Sequence, residues 1–132
     1  MLGVKTYTQG HIDGCRTRVA SQLAAYQSVD STPESDTAFF NNLVIVLDSC
    51  FMHRLRGVEG KDGNPLNEVR VLRQSMVENG DVLTTDPTIK LDAATSVLGL
   101  NEGDTISLTE DDFLRLSDAY FAEVEKRFSE KG

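Results

Sequence analysis

The side chains able to do chemistry crowd the middle of the chain. Asp48, Ser49, Cys50 and His53 fall within six positions. On a helix, Ser49 lies one turn before His53 and within its reach. A hydroxyl beside an imidazole is the minimal nucleophile and base, in which the ring takes the proton as the oxygen attacks. No third residue is identifiable to orient the histidine, and Asp48, five positions back, is poorly aligned. A histidine near a helix C-terminus beside Arg54 and Arg56 also has a plain structural role, because the helix dipole favours its protonated form. His53, Asp48 and Ser49 are the catalytic candidates, with no reaction attached to them.

Directly after them comes the basic stretch. Residues 54–73 hold Arg54, Arg56, Lys61, Arg70 and Arg73 against Glu59, Asp62 and Glu68, a net of +2, whereas residues 74–125 carry a net of −10. The basic residues surround a glycine-rich loop, Gly57 to Gly63, followed by Asn64-Pro65. Asn64 is a natural N-cap and Pro65 a natural first helical residue, so amide groups at a helix start stand near several cations. That combination suits a phosphate or carboxylate. Arg54, Arg56 and Lys61 facing this helix start form the expected anion site, with Asn64, Glu68 and Arg70 around it and Asn41 and Asn42 as further polar groups. The alternative is that Arg54 and Arg73, which fall on apolar faces, are buried and paired with Glu68, Asp48 or another carboxylate.

Other chemistries lack their spacing. The two histidines, His11 and His53, form neither H-E-x-x-H nor paired E-x-x-H, so no metal or other cofactor is expected. The acidic run Asp104 to Asp112 lacks the alternating order of a calcium loop. Gly60-Lys61 misses the phosphate-loop spacing, and Asp62 stands where that loop needs a hydroxyl. A net charge of −8 and basic residues without interleaved aromatics argue against nucleic acid. The longest apolar run, Leu43 to Leu47, is too short to span a bilayer. Met1 to Gly10 is polar, with no apolar h-region, and Cys15 and Cys50 are far apart in sequence and read as reduced core thiols. These features point to a cytoplasmic chain.

The 132 residues suit one domain, 1–132. Residues 1–10 form an N-terminal arm or edge strand. A first helix, about Ile12 to Val29, carries Ile12, Cys15, Val19, Leu23 and Tyr26 on one face. A second runs from Thr37 to Arg56, apolar over half its circumference, with Thr32-Pro33 or Ser35 able to cap it and Gly57 ending it. A third opens at Asn64-Pro65, buries Leu66, Val69, Leu72, Met76 and Val77, and stops at Asn79-Gly80. Thr88 to Leu91 and Thr105 to Leu108 alternate and pair as an antiparallel ribbon. Between them, Asp92 caps one helical turn, or Ser96 to Leu100 is a strand. Thr109 to Asp112 is a capping box opening a last helix with Phe113, Leu116, Tyr120, Phe121, Val124 and Phe128 inside. The expected fold is mainly α, a four-helix bundle-like domain with a small two-stranded β ribbon before the last helix.

The R-x-x-x-x-H pattern of helical nuclease domains in toxin systems would place an arginine at 48, where Asp48 stands. The runs Phe39 to Asp48, His53-Arg-Leu-Arg56 and Gly60 to Val69 are instead similar to a group of small uncharacterised proteins from actinobacteria. That resemblance extends through Gly103-Asp104 and Leu108-Thr109 to the last helix and implies a family without an activity. The expected function is a non-enzymatic binding domain that self-associates as a homodimer, because a small bundle has difficulty covering the second helix, with Ile45 and Met52 on its outer arc. The rival is an enzyme for a small anionic substrate, using Asn41, Asn42, Asp48 and His53 in a pocket between the second and third helices.

Overall fold

Each long helix opens on a side-chain cap, and the caps fix the layout. The computed structural model describes residues 3–129. It contains α1 (Gln9–Gln27), α2 (Pro33–Ser49), the single turn α3 (Arg56–Glu59), α4 (Pro65–Glu78) and α5 (Glu110–Phe128). Thr8 accepts from the His11 amide at the start of α1. Thr32 and Ser35 form a reciprocal box at α2, with Pro33 just inside the helix. Asn64 accepts from the Leu66 and Asn67 amides at α4, and Thr109 with Asp112 closes the box at α5.

α2 packs against α1, α4 and α5, and α5 meets all four other helices. Its Phe40, Leu43, Val44 and Leu47 are buried against Ile12 and Val19 of α1, Leu66, Val69 and Leu72 of α4, and Phe113, Leu116 and Tyr120 of α5, in one cluster. Each such side chain contributes about 1.5–3 kcal/mol when fully removed from water. Among the described residues, no helix is long and apolar enough to cross a membrane.

Two expectations fail here. The second helix does not reach Arg56. It ends at Ser49, and Cys50 to His53 form turns. The cause is the N-terminal arm: the Val4 amide donates to the His53 carbonyl at 2.7 Å, and the Leu55 amide donates to Val4 at 2.8 Å. This pairing holds residues 53–55 extended, so Arg54 is not on a helix, and Gly57 lies inside α3 rather than ending α2. Gly3 fits against the same stretch; a β-carbon there would meet the Leu55 Cα at 2.7 Å.

The ribbon also fails, since no strand occurs among the described residues. Thr105 bridges Val82, not residues 88–91. The Leu83 amide donates to Asp104 and the Ile106 amide to Asp81, while the Lys90 amide donates to the Lys61 carbonyl of the glycine loop. The alternating run 88–91 thereby buries Ile89 without a strand partner. The region between resolves nearer to the capped turn, with the Asp92 carboxylate accepting from the Ala94 amide. In α4, Val77 is 59% exposed rather than buried. The arm's Met1 and Leu2 lie outside the described residues.

Candidate functional site

The extended pairing of residues 53–55 aims the Arg54 side chain inward, where it is 3% exposed. Its Nε donates to Glu59 Oε1 at 2.8 Å and its NH1 to Asp48 Oδ1 at 2.8 Å. The Phe51 and Leu66 carbonyls and the Tyr120 hydroxyl accept from the same guanidinium. Arg54 is therefore not an anion receptor, because internal acceptors already surround its fork. Burial opposes its charge, yet Tyr120, Asp48 and Glu59 together hold it protonated above its ordinary value.

Glu59 is the centre of this network and is fully buried. Besides Arg54 it accepts from Arg70 NH2 at 2.6 Å and from Asn67 Nδ2 at 2.7 Å. Burial raises its pKa, but the bonds from Arg70 and the charge of Arg54 outweigh that and leave it lowered. Glu59 had no signal in the sequence beyond lying among glycines. Its position between the buried Arg54 and the half-buried Arg70 is set by α3, a turn that the spacing Gly57 to Gly63 masks.

Of the other expected ligands of the anion site, Asn64, Glu68 and Arg70 are engaged internally. Asn64 caps α4 and donates to the Glu59 carbonyl, and the Gly63 amide donates to Asn67 Oδ1, so the helix start is closed by its own neighbours. Glu68 is buried but pairs with neither Arg54 nor Arg73; it accepts from the Val97 and Leu98 amides at 2.8 and 2.9 Å. Burial pushes its pKa up, against those two bonds. Arg56 and Lys61 are exposed. Their charges act on Asp86, whose carboxyl is lowered mainly by its bonds from Thr88 and less by these two cations.

The catalytic candidates do not converge. The Ser49 hydroxyl donates to the Val46 carbonyl of its own helix, Asp48 is bound by Arg54, and His53 is exposed on the turn beyond α2. Asn41 is buried, donating to the Ile106 carbonyl at 2.8 Å and accepting from the Leu108 amide at 3.1 Å. It is a clamp for the segment before α5. Asn42 is exposed on a hollow of about 330 Å³ that Ile45 and Met76 also line. Among the described residues, no group of three or more His, Cys, Asp or Glu side chains is placed to hold a metal.

Two further concavities follow α4. A cleft of about 470 Å³ lies between its C-terminal half and residues 84–87, lined by Gln74, Glu78, Thr85 and Asp86 among others. A hollow of about 120 Å³ shares Gln74 and Glu78 and adds Arg70, Arg73 and Val77. The two adjoin at Gln74 and Glu78 as a groove along α4, with Arg70 and Arg73 in its smaller part, Asp86 in its larger part and the Glu78 carboxylate common to both. Arg73 is 38% exposed at its side chain and stands 3.7 Å from Asp48. Its Nε is buried and makes no hydrogen bond among the described residues. The sequence placed Arg73 on an apolar stripe and gave no sign of the groove, which needs residues 84–87 folded back onto α4.

Cys15 and Cys50, read as core thiols, are neighbours across His11, whose Nε2 lies 2.9 Å from the Cys50 carbonyl and 3.7 Å from Cys15 Sγ. Comparison with protein families, with curated proteins and with solved structures finds no match for this chain.

Proposed function

We propose that this protein is a non-catalytic binding module that receives a carboxylate-bearing peptide segment of a partner protein in the groove along α4. The observation that carries this is Arg73, a guanidinium lining the groove whose side chain is 38% exposed while its buried Nε makes no hydrogen bond and faces Asp48 at 3.7 Å. The exposed end of this guanidinium gains charge-assisted bonds when a carboxylate arrives, and a planar fork is suited to grip both oxygens. Val77, exposed in the same hollow, offers apolar contact beside it, and Asp86 at the far end takes a basic group of the same segment. In this reading the anion site is at Arg73, at the end of the 54–73 stretch, and not at Arg54, Arg56 and Lys61.

The rival enzymatic use of Asn41, Asn42, Asp48 and His53 has little to support it, since Asn41 and Asp48 are engaged internally and His53 stands apart. Self-association loses its original motive. α2 is covered by the other helices, and the exposed large apolar residues Val29, Met52, Val77 and Leu114 are scattered over different elements. The proposed module works as one copy.

The test is an NMR titration of labelled protein with short mixed-charge peptides. Amide shifts confined to α4 and residues 84–87, lost in Arg73→Gln, are expected. Shifts centred on residues 53–61, or none at millimolar peptide, would remove the proposal.

A further inference from the structure

Cys15 and Cys50 stand 35 positions apart in sequence, and the fold brings them together where α1 meets the end of α2. Cys50 is the C-cap of α2, half-buried and reachable from solvent, while Cys15 is 8% exposed beneath it. His11 ties the two sites. Its Nε2 lies 2.9 Å from the Cys50 carbonyl and 3.7 Å from Cys15 Sγ. A carbonyl can only accept, so Nε2 carries the hydrogen, and that N–H lies beside the Cys15 sulfur as well. The ring itself is fixed by stacking on Tyr7 and by an edge contact with Phe51.

From this geometry we infer that Cys15 and Cys50 form a reversible intramolecular disulfide that locks α1 to the C-terminal end of α2. The other elements need little movement, because one His11 nitrogen already spans the Cys15 sulfur and the Cys50 carbonyl, and Cys50 opens the irregular turn 50–53 rather than lying inside a helix.

The reaction proceeds by exchange with a small-molecule disulfide such as oxidised glutathione. The Cys50 thiolate attacks one glutathione sulfur, forming a mixed disulfide and releasing the first glutathione thiolate, which takes up the proton Cys50 gave away. Cys15 then loses its proton to solvent and attacks the Cys50 sulfur. This forms the Cys15–Cys50 bond and expels the second glutathione, which is protonated in turn. Two protein thiols are oxidised by two electrons, and one oxidised glutathione becomes two reduced molecules. The order follows from access: burial, followed by the hydrogen bond to Cys50, pushes the Cys15 thiol up to about 12, so it is a poor first nucleophile. In the second step the charge developing on the Cys15 sulfur lies beside the His11 N–H, which makes His11 a positioning residue.

The experiment treats the full chain with oxidised glutathione at dilute protein concentration and follows intact mass, free thiols and thermal midpoint. The expected product is a monomer that has lost roughly 2 Da and both thiols, with a midpoint raised by about 10 °C as expected for closing a loop of this length. Dithiothreitol reverses both changes. Cys50→Ala is expected to keep its Cys15 thiol free under the same treatment, and Cys15→Ala to stop at the mixed disulfide. His11→Gln slows the second step, so the mixed disulfide accumulates while the final product is unchanged. The inference is overturned if both thiols stay free until the protein unfolds. A wild-type adduct that persists at Cys50, or a disulfide between chains, overturns it equally.

Discussion

Arg54→Met isolates the buried network, because the substitution keeps much of the side chain's volume while removing every donor. Two charge-assisted bonds disappear, each at 2.8 Å, one to Asp48 and one to Glu59. Glu59 keeps Arg70 at 2.6 Å, whereas Asp48 is left with Arg73 at 3.7 Å and is itself buried. Removing one partner of a buried pair costs about 3–5 kcal/mol, chiefly through the charge left behind. A domain of this kind has about 5–15 kcal/mol in total, so the variant should be near its folding threshold at room temperature. Urea denaturation followed by circular dichroism reads the loss as a lower midpoint at unchanged slope. Adding Asp48→Leu removes the stranded carboxylate, and the double variant should lose less than the sum of the singles by about 1–3 kcal/mol. A loss below about 1 kcal/mol for Arg54→Met, or strict additivity in the double variant, would refute the reasoning.

Three further outcomes follow from particular residues. Glu68 and Glu59 act in opposite directions on acidification. Glu68's raised pKa means the folded state holds its proton more tightly, so its contribution improves as pH falls from its folded pKa to the unfolded value of about 4.3. Glu59's lowered pKa gives stability above that unfolded value that is lost as pH falls through its folded pKa. The stability of wild type minus Glu68→Gln, measured by urea melts across the acid range, should therefore grow down to about pH 4.3 and then level off; a flat or falling difference contradicts it. Tyr7→Phe should stabilise by about 1 kcal/mol, since the buried Tyr7 hydroxyl has no hydrogen-bond partner among the described residues; a lower melting midpoint contradicts this. Gly63→Ala should cost more than about 1 kcal/mol in the same assay, because Gly63 has φ +87° and a β-carbon there would collide with the Lys90 carbonyl oxygen.

The parts of the fold readable in the sequence are those fixed by neighbours along the chain. Asn64-Pro65 and Asn79 bound α4, and the Thr109–Asp112 box opens α5, because each cap acts across three or four residues. What was misread depends on distant partners. The apolar period of α2 continues through Phe51 and Leu55, but the Val4 backbone pairs with residues 53 and 55 and ends the helix sooner. The alternation of 88–91 is genuine, yet Lys61 takes the Lys90 amide and Val82 takes the place opposite Thr105. At the site, the basic cluster was visible as composition, and pairing of Arg54 with Asp48 was one of two open alternatives. Glu59 as the common acceptor, Glu68 as the clamp on residues 97 and 98, and the approach of Cys15 to Cys50 across His11 all require chain segments that only the packed helices bring together.

The division of the arginines into a structural one and a receptor is tested most directly by the NMR signals of their Nε–H groups. Arg54 Nε–H, bonded to the buried Glu59, should exchange slowly with water and stay in place when an acidic peptide is added. Arg73 Nε–H, buried 3.7 Å from Asp48 without a hydrogen bond, should shift when a peptide carboxylate binds the exposed end of the same guanidinium. An Arg54 signal that exchanges freely or moves with peptide, beside an Arg73 signal that does not respond, would contradict both the closed network and the groove.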